Sequence, residues 1–415
     1  MANGTIAASQ LEMLTQSGTG IITIVPPNTN TNRTLTLPDA TGTVLSTAST
    51  TGISGSAISS GTVPEAYGGT GTSTGYYGFK NRIINGAMVI DQRNAGAAIT
   101  ANGYSVDRFD YANFTDGAFS VQQDTTVPAG FIKSLKVTVT SPDASVTTNQ
   151  SAFISQKIEG LNCADLGWGA AGAQSVTFSF WVRSSLTGTF GGSFRNNATD
   201  RSYPYSYTIS AANTWEQKTI TIAGDTTGTW LTTNGVGINI SFSLAAGPSV
   251  VGTANVWAAA NYVSASSTTN VVSTNGATWA ITGVQLEKGS TATSFDYRDI
   301  GRELIMCQRY FERSYNIGSA TGSFTNGFIG FNTPLTATGD IPTNILFKVT
   351  KRDTPTVVVY NAVSGASGAA YRASDGSSIS VTGINYVGTN GVGNLSLASG
   401  SVNNYLIHYT ASSEL

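Results

Sequence analysis

The chain has 415 residues, a length that suggests two or three domains, and a net charge of −2 with no long basic run, so nothing argues for binding to nucleic acid or an anionic membrane. Charged residues make up 11%, against about 25% in average soluble proteins. Thr, Ser, Asn, Ala and 47 Gly take their place, which suits strands, tight turns and uncharged polar surfaces, so an all-β chain is expected.

The opening MANGTIAASQLEML has no basic segment followed by an apolar one, so no secretory leader is expected; no run of about 18 apolar residues is present to span a bilayer. Residues 1–80 are poor in aromatics, and 1–67 read as an N-terminal shaft segment. Their apolar residues come in short clusters: Ile21-Ile22 with Ile24-Val25, then Leu35 and Leu37 in a strictly alternating Thr-Leu-Thr-Leu strand, then Val44-Leu45. Such strands cannot close a core within one chain. Three chains wound about a shared axis would close one; the alternative is a disordered tail. Residues 68–80 form a Gly/Ser/Thr-rich joint, with Gly68, Gly69, Gly71 and Gly75 as hinge candidates.

Residues 81–297 turn apolar at once, with NRIINGAMVIDQRNAG, and read as a β-sandwich. Strands are expected over 134–139, 152–158, 175–183, 206–209, 216–222, 236–244, 255–263 and 278–287. In the third of these the period of two puts Val176, Phe178, Phe180 and Val182 on a core face. Thr177, Ser179, Trp181 and Arg183 take the other face, where Trp181 and Arg183 are candidates to stack on and bind a sugar. Trp168, Trp215, Trp230, Trp257 and Trp279 are expected in the core.

Residues 299–313 carry a helix signal. Asp299 is a cap, and Ile300, Leu304, Cys307 and Phe311 fall on one face. This connector helix (298–313) leads to a strand-rich tip over 314–415, large enough for one small sandwich. Strands are expected there over 324–331, 345–349, 356–360, 378–381 and 405–409. Tyr360, Tyr371 and Tyr386 lie in or beside Gly/Asn/Ser-rich loops and are candidate saccharide contacts.

No catalytic constellation stands out. The chain has one histidine, His408, too few for a His triad or a multi-His metal site within one chain. Gly71 to Gly75 spells G-x-S-x-G but lacks the strand and helix that a nucleophile elbow requires. Carboxylates such as Asp107 with Asp110, and Asp340, Asp353 and Asp375, are expected at the surface or in turns. A glycosidase would need two of them about 5 to 10 Å apart. No cofactor and no metal are expected. Cys163 and Cys307 are expected to be buried free thiols.

Several runs resemble bacteriophage tail-fibre and receptor-binding proteins. They are the shaft-like ITIVPPNTNTNRTLTLPDATGTV and the GGTG joint ahead of Asn81, Asn85, Gly86 and Met88. FSFWVRSS, NTWEQKTITIAGDTTGTW and WAITGVQLEKGSTATSFDYR, then CQRYF, resemble a jelly-roll domain similar to carbohydrate-binding modules and the element that follows it. The resemblance implies a trimeric fibre with a short β-strand shaft, a jelly-roll β-sandwich, a connector helix and a β-sandwich tip. It implies a virion protein that binds a host surface glycan, and other tail proteins through its N-terminus. A tailspike-like polysaccharide depolymerase and a purely structural tail component are the alternatives.

Overall fold

The computed structural model describes residues 11–14, 21–24, 79–333, 339–398 and 403–415. The chain divides into two compact units, Met1–Gly61 and Thr62–Leu415. In the first, β1 (Leu11–Leu14) and β2 (Ile21–Ile24) form an antiparallel hairpin with Leu11 opposite Ile24. The expected strand around Leu35 and Leu37 and the hinge glycines Gly68, Gly69, Gly71 and Gly75 lie outside the described residues.

The second unit is all-β around a short helix. Its strands are β3 (Gly103–Val106), β4 (Phe109–Asn113), β5 (Ala118–Asp124), β6 (Ser134–Ser141), β7 (Ser151–Glu159), β8 (Val176–Ser184), β9 (Gly188–Arg195), β10 (Ser202–Ile209), β11 (Glu216–Ile222) and β12 (Val236–Ala246). The short β13 (Val251–Gly252) and β14 (Ser264–Ala265) follow, then the long β15 (Thr278–Lys288). Six strands form one antiparallel sheet in the order β10-β9-β12-β7-β4-β3, and five form the other, β11-β8-β15-β6-β5. The chain repeatedly crosses between the sheets, as at β6–β7, β7–β8 and β8–β9, which is jelly-roll wiring.

The alternation in β8 explains the core. Val176, Phe178, Phe180 and Val182 are fully buried, as parity requires. Phe178 meets Phe194 edge-on at 5.2 Å and Phe180 meets Phe242 at 5.0 Å, so the two sheets interlock through rings. The buried Trp279 donates from Nε1 to the Tyr207 hydroxyl at 3.1 Å, giving the indole its partner inside the core. Trp168, Trp230 and Trp257 form an edge-to-face trio with centroids 4.8 to 5.5 Å apart, packed against this core.

Some expected elements differ. Residues 255–263 do not form a strand: this stretch lies between β13 and β14, whose parallel pairing is only two residues long. Its run of small residues offers no period-two apolar face. β3, β4, β5 and β9 were not expected. β9 is GTFGGSFR, where glycines dilute the strand signal, and Gly192 is required because a Cβ there would stand 2.0 Å from the Ser241 carbonyl oxygen. The helix α1 (Ile300–Gln308) is shorter than the expected 299–313; Asp299 caps it by accepting from the Arg302 amide at 2.9 Å. Phe311 lies instead in β16 (Phe311–Arg313), and Ile300 is exposed while Cys307 is buried, so the expected single apolar face is not realised.

The tip continues with β17 (Ile329–Thr333), β18 (Gly339–Leu346), β19 (Thr356–Asn361), β20 (Ala369–Arg372), β21 (Ser378–Gly388), β22 (Gly391–Leu397) and β23 (Asn403–Ser412). Strands were expected here, but β16, β20 and β22 were not, and the expected 324–331 and 345–349 shift to β17 and β18. The eight strands of the tip are connected by hydrogen bonding through β21; β23 pairs with β16, β17, β19 and β20. It wraps its own core of Ile345, Val359, Leu395, Tyr405 and Ile407. A buried seam joins tip to sandwich. Arg309 pairs with Glu159 at 2.6 Å, Arg108 pairs with Glu414, and Gln92 Nε2 donates to the Phe311 carbonyl at 2.9 Å. Cys163 and Cys307 are both buried and free.

Candidate functional site

A cleft lies where the first and last segments of the sandwich meet. Its volume is about 270 Å³, and its walls are Asn81, Gly86 and Ala87 on one side and Phe295, Asp296 and Tyr297 on the other. The chain builds it through tight local constraints. Gly86 accepts the Val284 amide at 2.9 Å, and a Cβ on Gly86 would stand 2.2 Å from the Val284 oxygen, so only glycine fits. Asn81 Oδ1 accepts from the amides of Ile83 and Leu286, and its Nδ2 donates to the Val284 carbonyl, which pins the entering segment to β15.

Three rings form the floor. Phe131 and Phe295 have centroids 5.2 Å apart, Phe295 and Tyr297 4.9 Å, and Phe131 and Tyr297 5.5 Å. Tyr297 remains 60% exposed, and Ile132 and Ile300 beside it are 70% and 61% exposed, so an apolar, aromatic surface faces water. The Tyr297 hydroxyl donates to the Gly130 carbonyl at 3.1 Å, which fixes the ring. Arg298 is half-buried behind it. It donates to the backbone oxygens of Asn81 and Ile83 and lies 3.5 Å from both Asp296 and Glu303. Asp296 keeps part of its carboxylate at the surface, placing one acceptor beside the rings. This combination, a rigid ring face with a polar acceptor at its rim, suits an amphipathic ligand whose apolar face stacks and whose hydroxyls donate.

Trp181 sits next to this floor. β15 carries a bulge between Thr282 and Gln285, and Gly283 within it has φ +61°. A Cβ at Gly283 would meet Phe131 at 2.6 Å and Trp181 at 3.0 Å, so both rings flank the same glycine. Arg183 is two residues on along the same face, half-buried, and donates from Nε to the Asn213 carbonyl at 2.9 Å; it holds a neighbouring loop. Thr177 and Ser179 on that face are buried, so only its Trp181 end is open.

The tip tyrosines are not gathered. Tyr360 is half-buried and meets Tyr315 edge-on at 6.1 Å. Tyr371 pairs with Ser378 at the start of β21. Tyr386, eight residues further along that strand, is roughly 25 Å away at about 3.3 Å per residue. It is 77% exposed, has φ +55°, and lines an open groove of about 400 Å³ with Asn344, Leu346 and Asn390. The carboxylates have structural partners: Asp110 faces Lys157, Asp375 pairs with Arg372 at 2.6 Å, and Asp353 lies 3.8 Å from Arg352. Asp107 is buried against Gln92 and Arg93, and burial pushes its carboxyl up to about 6. Among the described residues no group of three or more His, Cys, Asp or Glu is placed to hold a metal ion.

Phe131, Phe295 and Tyr297 were not singled out from sequence as site residues, although two resemblance-bearing motifs meet here. Asn81 and Gly86 come from the opening motif and Phe295, Tyr297 and Arg298 from the Phe-x-Tyr-Arg exit.

No protein-family model and no curated protein sequence matches the chain. Among solved structures it is similar to the enzymatically active domain of tailspike protein 4 of bacteriophage CBA120, at 15% identity and TM-score 0.30, covering 50% of this chain and 21% of that one. It is similar to a putative sugar binding protein from Bacteroides thetaiotaomicron, at 11% identity and TM-score 0.28, covering 51% and 100%. It is also similar to the family 11 carbohydrate-binding module of a Clostridium thermocellum cellulosomal cellulase, at 12% identity and TM-score 0.24, covering 48% and 98%. At these TM-scores the overlaps do not assign a function. The chain spans about a fifth of the tailspike structure it matches.

Proposed function

We propose that this protein is a phage tail fibre component that binds a surface polysaccharide of the host cell as a homotrimer. The observation that carries the saccharide reading is the cleft: three mutually packed rings with Tyr297 60% exposed, a carboxylate at the rim, and Trp181 next to it. A sugar ring stacks on such a floor while its hydroxyls bond to Asp296 and the cleft's backbone. Two features support assembly. The β1–β2 hairpin is a two-stranded sheet of four-residue strands, marginal in water by itself. The resemblance of residues 22–44 to fibre shafts supplies a trimeric partner arrangement. Three cleft copies per fibre would act multivalently, so weak single contacts sum to firm attachment. Attachment to other tail proteins through the N-terminal segment belongs to the same reading, as do the hinge at Gly68 to Gly75 and residence in the virion.

The test is retention of the purified chain on bacterial cells and its displacement by soluble polysaccharide from the same cells. Displacement, a native mass of about three times 43.0 kDa and no new reducing ends are expected. Release of reducing ends would make the chain a depolymerase instead. Retention on no polysaccharide-bearing cell would leave only a structural role.

A further inference from the structure

The walls of the cleft are more apolar than a fully hydroxylated sugar needs. Beside the three rings, four aliphatic side chains line it: Ala87 and Val89 from the opening segment, Ile132 two residues ahead of β6, and Ile300 at the start of α1. All four keep surface open to water, and Ile132 and Ile300 keep most of theirs. Contiguous open apolar surface of this kind marks a place where something binds. The volume of about 270 Å³ limits the occupant. Pockets that enclose drug-sized ligands run from about 300 Å³ upward, so the cleft holds one sugar residue, not a run of several.

The polar side chains of the cleft are, by contrast, already engaged. Asn81 spends both ends of its amide on backbone groups, and the Tyr297 hydroxyl donates to Gly130. Arg298 donates to the Asn81 and Ile83 carbonyls, while Glu303 accepts the Asn85 amide and faces Arg298 at 3.5 Å. Of the five, Asp296 keeps the most open polar surface, with 31% of its side chain exposed. Three consequences follow for the ligand. A hydroxyl pressed against the aliphatic wall would lose water without gaining a partner, whereas a methyl there gains burial. An acetamido group would bring a carbonyl, yet the side-chain donors lining the cleft, Asn81 and Arg298, are turned to backbone oxygens. An acidic sugar would meet a cleft in which two carboxylates, Asp296 and Glu303, outweigh the one guanidinium.

We infer that the cleft selects a neutral 6-deoxyhexose, with its C6 methyl against Ala87, Val89, Ile132 and Ile300 and its ring hydroxyls towards Asp296. This rests on the saccharide reading of the cleft given above and names the sugar class. The test is titration of the full chain, followed by ligand-observed NMR, with sugars that differ only at C6: L-rhamnose against L-mannose, and L-fucose against L-galactose. N-acetylglucosamine against glucose is the acetamido arm. At least one 6-deoxy sugar should bind about tenfold more tightly than its hydroxylated counterpart, the factor expected for a hydroxyl left without a partner. Ile132→Ser with Ile300→Ser should cut that preference to about twofold or less. Both positions are mostly exposed, so the double variant should still melt cooperatively; if it does not, either single substitution should narrow the preference part of the way. Tyr297→Ala should weaken both members of a pair together, because both stack on the ring. Equal affinity within both pairs, an acetamido preference as large, binding of none of the six sugars, or a preference untouched by the isoleucine variants overturns the inference. Equal affinities that fall in Tyr297→Ala sink the methyl selection alone and leave the saccharide reading standing. So does binding of none of the six while Tyr297-dependent retention on polysaccharide persists. No binding and no such retention sinks the saccharide reading itself.

Discussion

The sandwich and the tip are both β-structures with apolar cores, but they keep their polar groups in different places. The sandwich interior is almost entirely aliphatic and aromatic, two sheets closed over Phe178, Phe180, Phe242 and Trp279, with its polar residues turned to the outer faces. The tip instead buries charge at its base. Lys351 and Glu312 pair at 2.5 Å with no exposed side-chain surface, and the Tyr409 hydroxyl donates to the same carboxylate at 2.6 Å. The space between the sandwich sheets can lose volume but holds no charge to strand; the base of the tip stands on a network in which each member satisfies the next.

The largest effects test that contrast. Glu312→Gln leaves a buried ammonium short of its counter-charge and is expected to cost ~3–5 kcal/mol of tip stability in denaturant unfolding. Combining it with Lys351→Met should recover most of the loss, because it removes the stranded ammonium and leaves a neutral pair with no buried charge. A double variant as unstable as the single would break the comparison. In the sandwich, Phe178→Ala should also cost ~3–5 kcal/mol, here from lost burial and a cavity, and no partner substitution should rescue it.

The seam supplies the next effect. Burial, opposed by Arg93 and Gln92, raises the Asp107 carboxyl from 3.8 to about 6 in the folded chain. A raised acid favours the folded state where it is protonated, so its contribution is full below about 4 and is lost as pH rises through about 6. The shift corresponds to roughly 3 kcal/mol. Asp107→Asn should flatten the pH dependence of unfolding across that window; an unchanged slope would show that Asp107 does not titrate there. The smallest effect is at the cleft. Tyr297 is mostly exposed, so Tyr297→Ala should cost only about 1 kcal/mol of stability, mainly its ring contacts.

The same contrast explains what was legible in the sequence. β8, β11 and β15 could be read within a residue or two because each carries a sustained β pattern, and the parity of β8 assigned its core residues one by one. β9 and β22 were missed because glycines such as Gly192 and Gly391 owe their place to close approach by neighbouring strands, which no local pattern encodes. The helix was overextended because Phe311 continues the helical spacing but gains more by pairing with β23. The Lys351–Glu312 pair is formed by residues 39 apart in sequence and gave no signal. The cleft was half legible. Its motifs were noticed as a resemblance, yet Phe131 and Tyr297, 166 positions apart, meet only once the sandwich between them has folded. Trp181 was picked out by strand parity alone and lies at its edge.

The most direct test of the account is a comparison of wild-type chain and Tyr297→Ala on an array of bacterial polysaccharides, with both proteins shown by thermal melting to be folded. The account predicts that the wild type is retained on a limited set of glycans and that the variant loses that retention about tenfold or more, as removal of a stacked ring should. Equal retention of the two proteins would contradict the assignment of saccharide binding to this cleft.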